Sequence, residues 1–167
     1  FLIGYQGDAN LSAASYYILF AAEHNLPEAQ YKIYDMYSSG TGTENNQSEA
    51  NIWLKKAAES GYFQAEGKYG IQLFSTNNWY NNKRAQSFIF LKHAYEKGYD
   101  DALWCLAQCY MYGIGTDTNK EFAYSLYHRA AEKGVRNAQE FLCGKYFRGD
   151  EIIPKDYVIS AKWCEEA

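Results

Sequence analysis

Four cysteines are the residues of this chain whose spacing is most easily tested against known chemistry. Cys105 and Cys109 are four residues apart and would share one face of a helix, and Cys143 and Cys164 follow later. Thiolates bind zinc, but a zinc site needs tetrahedral closure and usually a CxxC pair, which this sequence lacks. We therefore predict buried, reduced thiols and no metal site, with a Cys143–Cys164 disulfide as the alternative.

The histidines and glycines form no catalytic pattern. His24, His93 and His128 are scattered along the chain without a recognisable pairing of base and nucleophile. The glycine pairs of segments 40–42 and 113–115 are too short for a phosphate-binding loop and lack the Lys-Ser/Thr that follows one. The sequence thus predicts a protein that is not an enzyme and carries no cofactor.

Alanine recurs along the whole chain with a period of 36 or 37 residues, through Ala21, Ala57, Ala94, Ala130 and Ala167. A period of this size is typical of repeat arrays, in which neighbouring units stack and bury a core that no unit buries alone. The repeat is therefore the element that must position any functional side chain.

Two helices are predicted in each repeat. Helix A has an alanine followed by large residues four and eight positions later, which lie on one stripe of a helix. These alanines are Ala29, Ala65, Ala102 and Ala138. Helix B has large residues at predicted core positions, namely Tyr17, Trp53, Phe90, Leu126 and Trp163. A left-handed residue is expected where helix B ends, at Asn25, Gly61, Gly98 and Gly134, and Pro27 fits the first turn of helix A.

Segments 102–115 and 50–61 resemble the two halves of the Sel-1-like repeat, a relative of the tetratricopeptide repeat. They read ALWCLAQCYMYGIG and ANIWLKKAAESG. The resemblance covers nearly all of the chain. It implies an all-α fold, a right-handed α/α solenoid (superhelix) of antiparallel helix pairs. The second unit departs from the pattern because its A–B turn, residues 75–84, has no glycine.

A cysteine-rich, secreted branch of this family is similar in pattern and bridges its helices with one cysteine pair in each repeat. The matching positions here hold other residues, in the pairs Ala58/Glu66, Tyr95/Leu103 and Ala131/Gln139. The disulfide-bridged branch is therefore disfavoured.

We predict one solenoid domain, 1–167, that is a segment of a longer array. Its predicted divisions are a partial repeat 1–26, repeats 27–62, 63–98 and 99–134, and an incomplete repeat 135–167. Phe1 and Gly4 align with Tyr37 and Gly40, so the chain is expected to open on the last turn of a helix A.

Composition narrows the class of partner. The chain is 22% charged and 47% hydrophobic, with a net charge of −4, which argues against a nucleic-acid partner. It has no run of 18 apolar residues, so membrane insertion is not expected. The compartment stays open, because the resemblance implies bacterial envelope or secretion-related proteins as well as luminal adaptors of eukaryotes.

The resemblance also implies a binding surface, since helix A lines the concave face of tetratricopeptide arrays. Carried over to this chain, it predicts a partly exposed groove whose residues contact a partner: Tyr31, Asp35, Ile71, Phe74, Trp104, Gln108, Met111, Tyr112, Phe147 and Arg148. Large exposed residues of this kind mark interaction sites.

The implied function is a non-enzymatic adaptor or scaffold that binds a peptide or protein segment in this groove. One alternative is structural assembly, in which solenoid ends stack or swap to form a homo-oligomer. A minor alternative is a hydrolase acting on cell-wall or lactam substrates, as suggested for some relatives.

Overall fold

The computed structural model describes residues 9–75 and 82–167, and within these ranges the chain is all helical. The helices are α1 (Ala9–Glu23), α2 (Pro27–Ser39), α3 (Gln47–Glu59), α4 (Phe63–Phe74), α5 (Asn82–Glu96), α6 (Leu103–Tyr112), α7 (Lys120–Glu132), α8 (Arg136–Arg148) and α9 (Tyr157–Glu166). A short 3₁₀ turn, Asp100–Ala102, precedes α6. The even-numbered helices are the predicted A helices and the odd-numbered ones the B helices. The expectations for Phe1, Gly4 and most of the irregular 75–84 turn lie outside the described residues.

The chain forms two compact units, and α4 carries the boundary between them. Unit 1 runs to Tyr69 and unit 2 begins at Gly70. The core of unit 1 includes Ile33, Met36 and Trp53. The core of unit 2 is larger and centres on buried side chains of α6, α7 and α8, such as Leu106, Leu126 and Leu142. The division into individual repeats stays a prediction.

The predicted helix ends are confirmed. Asn25 has φ 60°, and Gly61, Gly98 and Gly134 have φ between 79° and 88°, so each ends its B helix in the left-handed conformation. Pro27 occupies the first turn of α2. Three B helices also begin with a side-chain cap that the sequence analysis did not single out. Asn46, Asn119 and Asp156 accept hydrogen bonds from backbone N–H groups of the first turn.

Two glycines allow close packing inside unit 2. A Cβ on Gly70 would lie 2.9 Å from Cγ of Leu91, so α4 and α5 cross where no side chain fits. Gly115, in the loop after α6, has φ 73° and lies on the first turns of α5. A Cβ there would overlap the carbonyl of Ala85 and approach Cβ of Phe88 to 2.9 Å.

Glutamine side chains join helix B to the following helix A at two places. Gln30 Nε2 donates to the carbonyl of Ala22 (3.3 Å), and Gln139 Nε2 donates to the carbonyl of Ala131 (3.1 Å). Both glutamines are buried. Position 139 is one where the disulfide-bridged branch would carry a cysteine, so a hydrogen bond connects these two helices where a bridge would be.

The cysteines correct one prediction. Cys143 of α8 and Cys164 of α9 form a disulfide, so the expectation of four reduced thiols is wrong for this pair, and the alternative holds. Cys105 and Cys109 are free and buried, as predicted. Sequence spacing did not decide the matter because helix pairing, which brings α8 against α9, sets the distance between the two sulfur atoms.

Candidate functional site

An open cavity of about 550 Å³ lies in unit 1 between α1, α2 and the residue that precedes α4. Its lining is aromatic and aliphatic with three charged side chains. The residues are Tyr17, Ile18, Ala21, Leu26, Glu28, Ala29, Tyr31, Lys32, Asp35 and Tyr62. Two of the predicted groove residues, Tyr31 and Asp35, are therefore brought together in one concave site.

Helix α2 supplies most of the polar lining because of its periodicity. Tyr31 and Lys32 lie three and four residues after Glu28, and Asp35 lies four and three residues after them, so all four follow one face of the helix. The left-handed Asn25 turns the chain sharply before this face, and it leaves Leu26 at the cavity wall, 52% exposed.

Tyrosine rings form one side of the cavity. The centroids of Tyr31 and Tyr62 are 5.1 Å apart with the ring planes at 45°. Tyr17 of α1 lines the same space and is 70% exposed. This corrects the prediction that Tyr17 is a core residue of helix B: its counterparts Trp53, Leu126 and Trp163 are buried, but Tyr17 is not.

Lys68 of α4 contacts the rings of Tyr31 and of the neighbouring Tyr34. Its Nζ lies 5.4 Å from the ring centroid of Tyr31 and 5.1 Å from that of Tyr34, and 3.9 Å from Asp35 Oδ1. Burial would lower the pKa of Lys68, but its hydrogen bond to Tyr31 and the neighbouring Tyr34 and Asp35 raise it, which keeps the ammonium charged.

The two tyrosine hydroxyls respond to the same charges. Burial raises the pKa of Tyr31, and Asp35 adds to that effect while the hydrogen bond with Lys68 opposes it. Burial also raises the pKa of Tyr62, followed by the charges of Glu28 and Asp35. Both carboxylates therefore oppose ionisation of the Tyr62 hydroxyl.

The predicted groove residues of unit 2 have mixed environments. Phe74 and Met111 are 9% and 7% exposed and belong to the core, which corrects the expectation that they form part of an exposed strip. Both belong to the buried apolar cluster of unit 2. Ile71 and Gln108 are half-buried, and Tyr112, Phe147 and Arg148 are exposed.

Trp104 is half-buried and packs against other aromatic rings of unit 2. Its ring centroid lies 5.3 Å from that of Tyr127 and 6.2 Å from that of Phe141. Tyr127 is fully buried, so Trp104 covers this part of the core while keeping part of its own surface in solvent. Phe147, at the end of α8, packs instead on Tyr157, with centroids 5.6 Å apart.

Of the residues that line the cavity, the sequence analysis named only Tyr31 and Asp35 as site residues; it missed the others, including Tyr62, and it missed Lys68 beside the cavity. Tyr62 directly precedes helix A, and the equivalent positions hold Leu26, Tyr99 and Val135. This apolar position recurs with the period of the repeat and would have identified Tyr62 as a residue at the helix A entrance. Lys68 has no repeat signal, because its role depends on the local tyrosines.

The two free thiols, Cys105 and Cys109, are buried and unreactive at neutral pH. Burial raises the pKa of Cys105 to about 11 and that of Cys109 to about 12, which keeps both protonated at neutral pH. No group of three metal-ligating side chains occurs among residues 9–75 and 82–167.

In the same ranges, no helix is both long enough and apolar enough to cross a membrane.

The chain is similar to known repeat proteins in both sequence and structure. The Sel1 repeat family pattern matches residues 27–62, 100–135 and 137–167. A crystal structure of a Sel1 repeat protein from Oxalobacter formigenes is similar, with 31% identity and a TM-score of 0.70 over 93% of this chain. A second is c5321, a protective antigen of uropathogenic Escherichia coli with an SLR fold, with 28% identity and a TM-score of 0.67 over 91% of this chain.

The chain spans 61% of the Oxalobacter protein and 32% of c5321, less than two thirds of either. No curated protein sequence matches it significantly. The three family matches cover more than half of the chain, and they coincide with helix pairs of the fold. The chain belongs to the Sel1 repeat family.

Proposed function

We propose that this chain is a non-enzymatic adaptor that binds a peptide or protein segment against its A helices, with the cavity of unit 1 as a principal binding site. Sel1 repeat proteins generally serve as scaffolds for protein–protein interactions. The observation that carries the proposal is the open cavity of about 550 Å³ with three tyrosines in its wall.

The cavity has the composition of an interface hot spot. Tyrosine combines a large apolar area with a polar hydroxyl and loses little conformational entropy on binding. Leu26 and Tyr17 are more than half exposed beside it, so an apolar side chain of a partner would bury surface that is now in water. The exposed residues Tyr112, Phe147 and Arg148 and the half-buried Trp104 of unit 2 stay predictions for further partner contacts.

A peptide-display selection tests this function. The full chain is immobilised, a random peptide library is selected on it, and the recovered peptides are titrated by fluorescence anisotropy. Tyr31→Ala should weaken their binding about 10-fold or more, because truncating a central tyrosine removes a hot spot. Circular dichroism melting of the variant confirms that it is folded.

The matched control is Ile52→Ala, which removes a 49%-exposed apolar side chain from α3 in the same unit but outside the cavity. It should leave the affinity unchanged. If the recovered peptides bind wild type and Tyr31→Ala equally well, the cavity is not the binding site and the proposal fails.

A further inference from the structure

The charges around the unit 1 cavity are not balanced. Its charged lining residues are the carboxylates Glu28 and Asp35 and the ammonium of Lys32. Lys68 is not a lining residue, but it lies beside the cavity, hydrogen-bonded to Tyr31 and 3.9 Å from Asp35. Within the lining two carboxylates thus face one ammonium, and Lys68 partly offsets the charge of Asp35 from the side.

Both carboxylates are available to a ligand. Asp35 meets Lys68 only at 3.9 Å, and its side chain is 44% exposed. Glu28 forms no salt bridge within the described residues and is exposed. They are seven residues apart on α2, so they lie two turns from each other on one face, with Tyr31 and Lys32 between them.

The tyrosine rings are suited to a cation. A positive charge within about 6 Å of an aromatic centroid is attracted by the ring quadrupole. Lys68 already makes such contacts with Tyr31 and Tyr34 from within the protein, so this aromatic group accommodates positive charge. Both carboxylates line the same cavity as the rings of Tyr31 and Tyr62, so negative charges and aromatic rings lie together there.

We propose that the segment bound in the unit 1 cavity inserts a basic side chain, arginine above lysine, between the carboxylates of Glu28 and Asp35 and the rings of Tyr31 and Tyr62. A planar guanidinium stacks on a ring and donates to carboxylates at the same time, which a lysine ammonium does less well. A neighbouring apolar side chain of the segment packs on Leu26 and Tyr17. The inference rests on the proposed function and adds the chemistry of the partner.

The test compares three forms of each selected peptide: the parent, one with citrulline in place of arginine, and one with glutamate there. Citrulline keeps the shape of arginine and removes its charge. The parent should bind more tightly than the citrulline form, and the glutamate form should bind most weakly. Raising the salt concentration should weaken the parent alone, since exposed charge pairs are screened.

Charge variants of the protein give the second arm. Glu28→Gln and Asp35→Asn should each weaken the arginine peptide by about 2- to 5-fold and leave the citrulline peptide unchanged, as exposed ion pairs do. Lys32→Gln should strengthen the arginine peptide, because it removes the one opposing charge of the cavity. Glu44→Gln, an exposed carboxylate of unit 1 outside the cavity, is the matched control and should change nothing.

The outcomes separate the two proposals. Tyr31-dependent binding of peptides that lack a basic residue, or that prefer glutamate, overturns the basic side chain and leaves the adaptor function standing. Loss of all dependence on Tyr31 overturns the adaptor site itself. If sedimentation velocity finds a dimer that Tyr31→Ala abolishes, a second copy of the chain occupies the cavity, and the basic segment is rejected.

Discussion

Two tryptophans illustrate how single residues divide between building the fold and facing a partner. Trp53 is 8% exposed in the core of unit 1, where Lys56 covers its ring at 4.0 Å. Trp104 is half-buried and covers Tyr127 and Phe141 in unit 2. The two tryptophans thus have different environments: Trp53 lies at a core position of helix B, and Trp104 lies on helix A with part of its surface in solvent.

Trp53→Ala should destabilise the protein by about 3–5 kcal/mol, the usual cost of truncating a core aromatic. Trp104→Ala should cost less, about 1–3 kcal/mol, because part of its surface stays in solvent and only ring contacts are lost. Urea denaturation followed by far-ultraviolet circular dichroism measures both. Equal losses would mean that Trp104 is a core residue, and its predicted role in partner binding would be withdrawn.

His128 is half-buried between α7, α8 and α9. Its Nε2 lies 3.0 Å from the Tyr146 hydroxyl, and its ring is 6.0 Å from that of Trp163. Burial lowers the pKa of His128, Lys162 lowers it further, and Glu132 opposes the change. The folded state therefore favours the neutral imidazole.

Because the unfolded chain binds this proton more readily, stability should fall as the pH drops below 6.5. His128→Gln should remove this part of the pH dependence, as measured from urea midpoints between pH 7.5 and 5.5. His24→Gln, which changes an exposed histidine just after α1, is measured beside it for comparison. An unchanged slope in His128→Gln would show that other groups cause the dependence.

At the scale of elements, several different interactions attach α9 to α8 and to the core of unit 2. The Cys143–Cys164 disulfide joins them, the Ser160 hydroxyl donates to the carbonyl of Cys143 (2.9 Å), and Trp163 is buried in the core. Only the first depends on the redox state, so reduction should loosen the helix without releasing its core contact.

Replacing both cysteines, with Cys143→Ser and Cys164→Ser, should lower the free energy of unfolding by about 2–3 kcal/mol. A bridge that spans 21 residues removes about this much freedom from the unfolded chain. Hydrogen exchange should quicken in α9 and not in α3. Reductant should lower the urea midpoint of the wild type and leave that of the double variant unchanged. Titration of the denatured, unreduced chain should find two free thiols, and finding four would refute the bridge.

The helices themselves could be predicted because each one repeats a pattern that the others share. The left-handed residues after the B helices and Pro27 at the start of α2 followed directly from the period. The 3₁₀ turn before α6 could not be predicted in this way. There Asp100 accepts from Arg129 (2.6 Å) and lies 2.7 Å from Lys133, and the repeat pattern does not specify these ion pairs.

At the scale of the whole molecule, the sequence predicted the class of fold but only part of the candidate site. Tyr31 and Asp35 were located by repeat register, and they line the cavity. Phe74 and Met111 were assigned to the same groove, at another repeat position, but are buried, and Tyr17 has core register but is exposed. Register gives the direction of a side chain from its helix. Exposure depends on which neighbouring helix covers it, and that differs from one repeat to the next.

The contact of Gly115 with α5 bears on how the protein is made. Ala85 leaves the ribosome 30 residues ahead of Gly115, yet the two backbones meet so closely that no side chain fits between them. The first turns of α5 can therefore complete their packing only after the loop that follows α6 has been synthesised.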